Sequence, residues 1–175
     1  MKKRIFLVIL PLALLLALMP LMVSAAGGPW EDDFDSYPTG SPLHGVGGWK
    51  GWQNNPAFGA STTDVQARSA PNSVDILGAS DLVHEYTASS GQWVYTAWMY
   101  IPGNMTGQSY FIMLNQYDDA CATCNWSVQT HFNSATGLMT DDGTGATQPY
   151  ITDQWVEIRL EIDLDADTQA FYYNG

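Results

Sequence analysis

Apolar and polar residues alternate along several short stretches of the chain, a pattern typical of β-strands that bury one face. In the clearest stretch, 154–164 (QWVEIRLEIDL), the even-numbered residues from Val156 to Leu164 are apolar and most of the odd-numbered ones are charged. Further strands are predicted at 73–77, 82–86, 92–101, 109–117, 126–132, 138–139 and 169–173. After the first 26 residues, no stretch has the apolar spacing of a long helix.

The residues between these stretches predict how the strands connect. Pro102 and the polar segment Gly103–Gly107 separate the strands at 92–101 and 109–117, which indicates a hairpin. The turn Asp165–Thr168 indicates a second hairpin, between the strands at 154–164 and 169–173. Short strands at roughly ten-residue spacing, bounded by Gly, Pro, Asn and Asp, predict an all-β fold built as an antiparallel β-sandwich or jelly roll.

The N-terminus has the order of a secretory signal peptide helix. Positive charge at Met1–Arg4 precedes 19 apolar residues from Ile5 to Val23, and small residues follow up to Ala26. A run of this length is also compatible with a transmembrane anchor. Two prolines inside the run and the small residues at its end favour cleavage after Ala25 or Ala26. We therefore expect a secreted or cell-surface protein with one domain, residues 27–175, and no membrane span after cleavage.

The mature chain is strongly acidic, and this narrows the classes of partner. Only Lys50, Arg68 and Arg159 remain basic after removal of residues 1–26, against 18 acidic residues, which gives a formal charge of −15. Such a surface repels phosphate backbones and lacks the cations that release counterions, so nucleic acid is excluded as a partner. Neutral sugars, cations and protein surfaces remain as candidates.

Cys121 and Cys124 are the only cysteines of the chain. In the oxidising compartment that a signal peptide implies, we expect them to form a short-loop disulfide. A free thiol pair, or a metal or redox half-motif, is the alternative, although no second cysteine pair accompanies them.

Three stretches together resemble the concanavalin A-like lectin/glucanase superfamily, in particular its laminin G-like branch. They are Asp32–Tyr37 (DDFDSY) with Gly47–Trp52 (GGWKGW), then Trp93–Pro102, then Trp155–Gly175. The resemblance implies a concanavalin A-like jelly roll. It also implies that more strands should follow Gly175, so that residues 27–175 would form an incomplete domain.

Glu161-Ile162-Asp163-Leu164-Asp165 resembles the strand of the jelly-roll glucanases that carries their two catalytic carboxylates. Retaining hydrolysis needs two carboxyl groups about 5 Å apart, which alternate strand positions supply. Glu161 and Asp163 are therefore the candidate catalytic pair of a glycan-cleaving enzyme. The alternative is an ordinary solvated strand face. Asp165 falls in the following turn, where its shorter side chain points towards water.

Gln129-Thr130-His131 resembles the Gln-x-His strand of jelly-roll alginate lyases. The spacing places an amide and an imidazole on one face of a strand, which suits the binding and deprotonation of a uronate. The arginine-rich strand and the Tyr-x-Lys strand of those lyases are missing, and three basic residues do not neutralise a polyanionic substrate. Gln129 and His131 therefore remain candidates for binding.

Two groups of aspartates offer hard oxygen ligands of the kind that calcium prefers. Asp163, Asp165 and Asp167 alternate at a hairpin, while Asp33 and Asp35 lie at the start of the domain, where jelly-roll binding modules often hold a structural calcium. Aspartate is also common in turns because it caps them. A structural calcium is therefore a candidate cofactor for either group, and turn capping is the alternative role of these aspartates.

Aromatic residues are the remaining functional signal, because sugars stack their apolar faces on exposed rings, and rings in loops suit this better than rings in the middle of strands. Trp49, Trp52, Tyr117 and Trp126 are the candidates, and Gln129 and His131 join them as polar binding residues. The first hypothesis is a non-catalytic recognition module for a glycan or an extracellular protein surface. The second is the glycan-cleaving enzyme, and the third is a structural or adhesion domain without a small-ligand site.

Overall fold

A computed structural model describes residues 29–175. Within them the chain is all-β, and the helical residues are confined to two short 3-10 helices, Trp52–Asn54 and Pro56–Phe58. The strands, numbered in chain order, are β1 (Trp49–Gly51), β2 (Ser61–Thr63), β3 (Ser73–Asp75), β4 (Leu82–His84), β5 (Gln92–Tyr100), β6 (Gln108–Gln116), β7 (Asn125–Asn133), β8 (Leu138–Asp141), β9 (Thr147–Pro149), β10 (Trp155–Asp163) and β11 (Thr168–Tyr173).

The predicted signal peptide, residues 1–26, lies outside the described residues. No helix within residues 29–175 is long and apolar enough to cross a membrane.

Six of the predicted strands can be compared directly with the structure. Three are confirmed: 126–132 as β7, 154–164 as β10 and 169–173 as β11. The shorter predictions at 73–77, 82–86 and 138–139 correspond to β3, β4 and β8, which have different ends.

Two antiparallel sheets form the main body of the fold. One has the strand order β11-β10-β5 and the other has the order β6-β7-β8-β9. Two smaller sheets, β1-β4 and β2-β3, carry the N-terminal part of the described chain. The predicted hairpin between the last two strands is confirmed, since β10 and β11 pair from Asp163 opposite Thr168 to Ile158 opposite Tyr173.

The two main sheets face each other across an apolar core, which makes the fold sandwich-like. The alternation predicted for β10 is confirmed, because Val156, Ile158 and Leu160 are at most 2% exposed. Phe132 of β7 is fully buried and reaches Tyr173 of β11 with 5.7 Å between ring centroids. The buried members of this core are Ile101, Val128, Phe132, Met139, Ile158 and Leu160.

The prediction that the strands at 92–101 and 109–117 form a hairpin is wrong. β5 pairs with β10 and β6 pairs with β7, so the segment between them carries the chain from one sheet to the other. Ile101 is buried at the start of this crossing, and the amide of Gly103 donates to Asp153 Oδ1 at 2.7 Å. Both strands alternate as predicted, but alternation alone does not say which neighbour a strand pairs with.

Candidate functional site

Three of the predicted aromatic binding residues, Trp52, Tyr117 and Trp126, lie together at one end of the four-stranded sheet. The ring centroid of Trp52 is 5.1 Å from that of Tyr117 and 6.2 Å from that of Trp126. Trp126 is 45% exposed, an unusual fraction for a side chain of its size. We call these three residues the aromatic platform.

Hydrogen bonds fix the ring of Tyr117 within the platform. Its hydroxyl accepts from the Gln53 amide at 3.1 Å and lies 3.2 Å from Asp119 Oδ1. Burial raises the pKa of Tyr117, and Asp119 adds to this rise against the opposing effects of the Gln53 amide and Lys50. The phenol therefore stays protonated at neutral pH and donates to Asp119.

The loop between Tyr117 and Trp126 holds both rings in place. Cys121 and Cys124 lie at bonding distance within this loop, which confirms the predicted disulfide pairing. The Asp118 carboxylate accepts hydrogen bonds from the hydroxyl and the amide of Thr123 and from two further backbone amides, and these lower its pKa. The loop therefore forms a closed unit with a platform residue at each end.

Lys50 ties this loop to the small sheet β1-β4. Its ammonium group forms ion pairs with Glu85 and Asp119 and lies 5.0 Å from the centroid of the Tyr117 ring. Burial alone would lower the pKa of Lys50, but the hydrogen bonds to Asp119 and Glu85 outweigh it and raise the pKa. Lys50 therefore stays charged, and two carboxylates already neutralise it.

The predicted polar residues Gln129 and His131 lie on the outer face of β7, because Val128, Thr130 and Phe132 face the core. Asp142 joins them. Its Oδ2 accepts from Gln129 Nε2 at 2.7 Å, and its Oδ1 is 2.7 Å from His131 Nδ1. Gln129, His131 and Asp142 form a connected group that we call the polar triad.

An open cavity of about 240 Å³ connects the platform with the polar triad. The residues that line it are Trp126, Ser127, Gln129, Asp141, Asp142 and Gly143. An exposed indole, an amide and a carboxylate thus border one space. These groups can stack on an apolar ring face and exchange hydrogen bonds with hydroxyl groups at its edge.

Trp49, the fourth predicted ring, belongs to a different aromatic cluster. Its centroid lies 5.4 Å from Trp30, 5.6 Å from Phe34 and 5.2 Å from His84. Its indole donates to Asp32 Oδ2 at 2.9 Å. The structure therefore gives Trp49 a packing role that joins the start of the domain to β4, and it does not bring Trp49 to the platform.

Three of the five predicted calcium ligands accept hydrogen bonds from within the chain. Asp33 Oδ1 accepts from the Asp35 amide, and Asp35 Oδ1 accepts from the Asn72 amide. Asp163 accepts from the amides of Asp165 and Ala166. Across residues 29–175, no three His, Cys, Asp or Glu side chains converge as a metal ion requires. The calcium site, with Asp167 as a further ligand, stays a prediction from the sequence.

The alternative catalytic pair, Glu161 and Asp163, lines a groove of about 400 Å³ at one end of the sheet β11-β10-β5. Glu161 forms an ion pair with Arg159 and accepts from the Tyr172 hydroxyl at 3.3 Å. The side chain of Gln92, followed by the Ala166 amide, lowers the pKa of Asp163. Asp163 is therefore ionised at neutral pH, which suits a nucleophile and not a proton donor.

Asp142 is the site residue that sequence reasoning missed. The signal was present in the turn Asp141-Asp142-Gly143 after a predicted short strand, but linking that turn to Gln129 needs the register between β7 and β8.

No protein-family model, curated protein or solved structure matches this chain.

Proposed function

We propose that this protein is a non-catalytic carbohydrate-binding module. The observation that carries the proposal is the exposed Trp126, which lies against Trp52 and opens onto a cavity lined by Gln129 and Asp142. An aromatic surface beside a small number of fixed polar groups is the composition that small-ligand sites share. A sugar ring offers the matching surface, with apolar C–H groups on its faces and hydroxyls at its edge.

The rigidity of the site supports this proposal. Tyr117 is held by Gln53 and Asp119, and the triad side chains are held by one another. A site fixed before binding loses little side-chain entropy when the ligand arrives, so more of the stacking energy appears as affinity.

We further propose that the module is exported and adopts a concanavalin A-like jelly roll. Two facing antiparallel sheets and the crossing between β5 and β6 support the jelly roll, because that fold also moves its chain from sheet to sheet. The paired Cys121 and Cys124 support export into an oxidising compartment, together with the signal pattern of residues 1–26.

Titration calorimetry with cellohexaose, laminarihexaose and mannohexaose tests the binding proposal. We expect the wild type to bind at least one of them, and Trp126→Ala to weaken that binding tenfold or more, about 1.4 kcal/mol. Trp98→Ala is the matched control, because Trp98 is similarly exposed at 40% but lies on β5, in the other main sheet. Equal losses in both variants, or a loss in Trp98→Ala alone, would place the binding elsewhere.

Glycan cleavage is the second candidate function, favoured by one observation: Glu161 and Asp163 line the same ligand-sized groove. The Arg159 and Gln92 contacts that hold the two carboxylates would then position them for the reaction. Sugar release from the same hexasaccharides that Glu161→Gln abolishes would establish the enzyme. If the wild type neither binds nor cleaves any of them, the third hypothesis, a structural or adhesion domain, becomes the better account.

A further inference from the structure

Asp142 is fixed against β7 at three points. Its backbone amide donates to the Gln129 carbonyl at 2.9 Å, and its two carboxylate oxygens meet Gln129 Nε2 and His131 Nδ1 at 2.7 Å each. Its side chain is nevertheless 30% exposed and borders the cavity beside Trp126. A fixed carboxylate thus forms part of the wall that a ligand stacked on Trp126 would meet.

The contacts of Asp142 also determine which hydrogen bonds a ligand finds there. A carboxylate only accepts, so His131 Nδ1 carries the proton of that contact and Gln129 turns its NH₂ group inward. Two donors that a carboxylate ligand could use are therefore already engaged. The carboxylate of Asp142 has about four acceptor positions, of which two are filled, so hydroxyl donors of a ligand can take the others.

None of the three basic residues within residues 29–175 contributes a cation to this cavity. Lys50 is paired with Glu85 and Asp119. The two arginines are elsewhere, Arg159 on β10 and Arg68 stacked 3.7 Å over the ring of Trp98. An anionic ligand at the cavity would face Asp142 and Asp141 without a lysine or arginine to compensate them, and like charges at short range repel.

We infer that Asp142 sets the specificity of the site, selecting neutral sugars through their hydroxyl groups and rejecting uronic acids. The inference rests on the proposed carbohydrate binding and adds the chemical class of the ligand. A sugar oxidised at C6 keeps the stacking face and the ring hydroxyls of its parent, and a carboxylate replaces only its C6 hydroxyl, so the added charge is the main difference between the two. Discrimination between them therefore reports on the electrostatics around Asp142.

The test compares the neutral hexasaccharide that binds best with the same hexasaccharide oxidised to the uronate at C6. We expect the wild type to bind the uronate at least tenfold more weakly, and Asp142→Asn to reduce that ratio to threefold or less. The variant can keep its shape, because Asn accepts from His131 and a flipped Gln129 amide offers its oxygen to the new NH₂ group. Thermal unfolding of the variant checks this.

Asp165→Asn is the matched control, since it makes the same change in net charge at an exposed turn in the other main sheet. Asp165→Asn should keep the wild-type ratio of affinities for the neutral sugar and the uronate. A higher salt concentration should lower this ratio in the wild type more than in Asp142→Asn. Equal binding of both sugars by the wild type, or an unchanged ratio in Asp142→Asn, overturns the inference and leaves carbohydrate binding intact. Absence of binding to every neutral hexasaccharide overturns both.

Discussion

Trp49 donates a hydrogen bond of 2.9 Å from its indole nitrogen to Oδ2 of Asp32, and the same oxygen accepts from the Tyr37 hydroxyl at 2.8 Å. Trp49→Phe keeps an aromatic ring in the cluster but removes a donor from a charged acceptor. We expect it to lower the free energy of unfolding by about 1–3 kcal/mol, measured by urea denaturation. Affinity for the hexasaccharide should not change, and a loss of affinity would return Trp49 to the binding site.

The free energy of unfolding should depend on pH through His84. Burial, opposed by the Asp32 and Glu85 carboxylates and by the Gly47 backbone, lowers the pKa of this histidine below its usual 6.5. Its Nδ1 has no hydrogen-bond partner among the described residues, and its ring centroid lies 3.8 Å from that of Trp30. The unfolded chain therefore takes up a proton at a pH where the folded chain does not, and stability declines as the pH falls below about 6.5.

His84→Phe tests this dependence, because it keeps an aromatic ring in the stack and removes the titration. We expect the melting temperature of the wild type to fall between about pH 7.5 and pH 5, and that of the variant to fall less. Parallel curves for the two proteins would mean that other groups cause the acid sensitivity.

Removal of the Cys121–Cys124 bond should affect binding as well as stability. Cys121→Ser with Cys124→Ser opens a very short loop, for which chain entropy predicts a loss of about 2 kcal/mol. Because Tyr117 and Trp126 flank this loop, we expect the affinity for the hexasaccharide to fall severalfold. Wild type treated with dithiothreitol should behave like the double variant, and unchanged affinity in both would show that Asp118 alone holds the loop.

The core between the two main sheets should respond to truncation as a close-packed interior does. Leu160 is fully buried on β10, and Leu160→Ala should lower the free energy of unfolding by about 2–5 kcal/mol. Val94, on β5 of the same sheet, is 65% exposed, so Val94→Ala should change the free energy of unfolding by about 0.5 kcal/mol or less. Urea denaturation of both variants measures the difference, and similar losses would mean that the faces of this sheet are assigned incorrectly.

Local patterns in the sequence predicted the longer strands well, because one buried face imposes a period of two on the side chains. The three-residue strands β1, β2 and β9 are too short to show that period and were not predicted. The alternation from Val156 to Leu164 located β10 and its core face, and the turn after it located the hairpin with β11. Pairing between distant strands leaves no comparable local signal. The crossing from β5 to β6 was missed for that reason, since a polar turn of this length can either close a hairpin or carry the chain to another sheet.

The candidate site shows the same division between local and distant information. Residue chemistry indicated Trp52, Tyr117, Trp126, Gln129 and His131. The structure brings the three rings together at one end of the four-stranded sheet and places Gln129 and His131 on the outer face of β7. Asp142 was missed because its contact with Gln129 depends on strand register. Trp49 has the same ring chemistry as Trp52 but a hydrogen-bond partner, Asp32, that only the folded chain reveals.

The strand pairing also sets the order in which the molecule can fold. Gln92 Nε2 donates to Asp163 Oδ2 across 71 residues of sequence, at one end of the β5–β10 pair. The sheet β11-β10-β5 therefore remains incomplete until residues 155–173 are available, and non-local pairing of this kind slows folding into the range of milliseconds to seconds. For a chain that is exported, as proposed above, and that crosses the membrane unfolded, this delay would keep β5 unpaired during transport and leave closure of the core to the far side of the membrane.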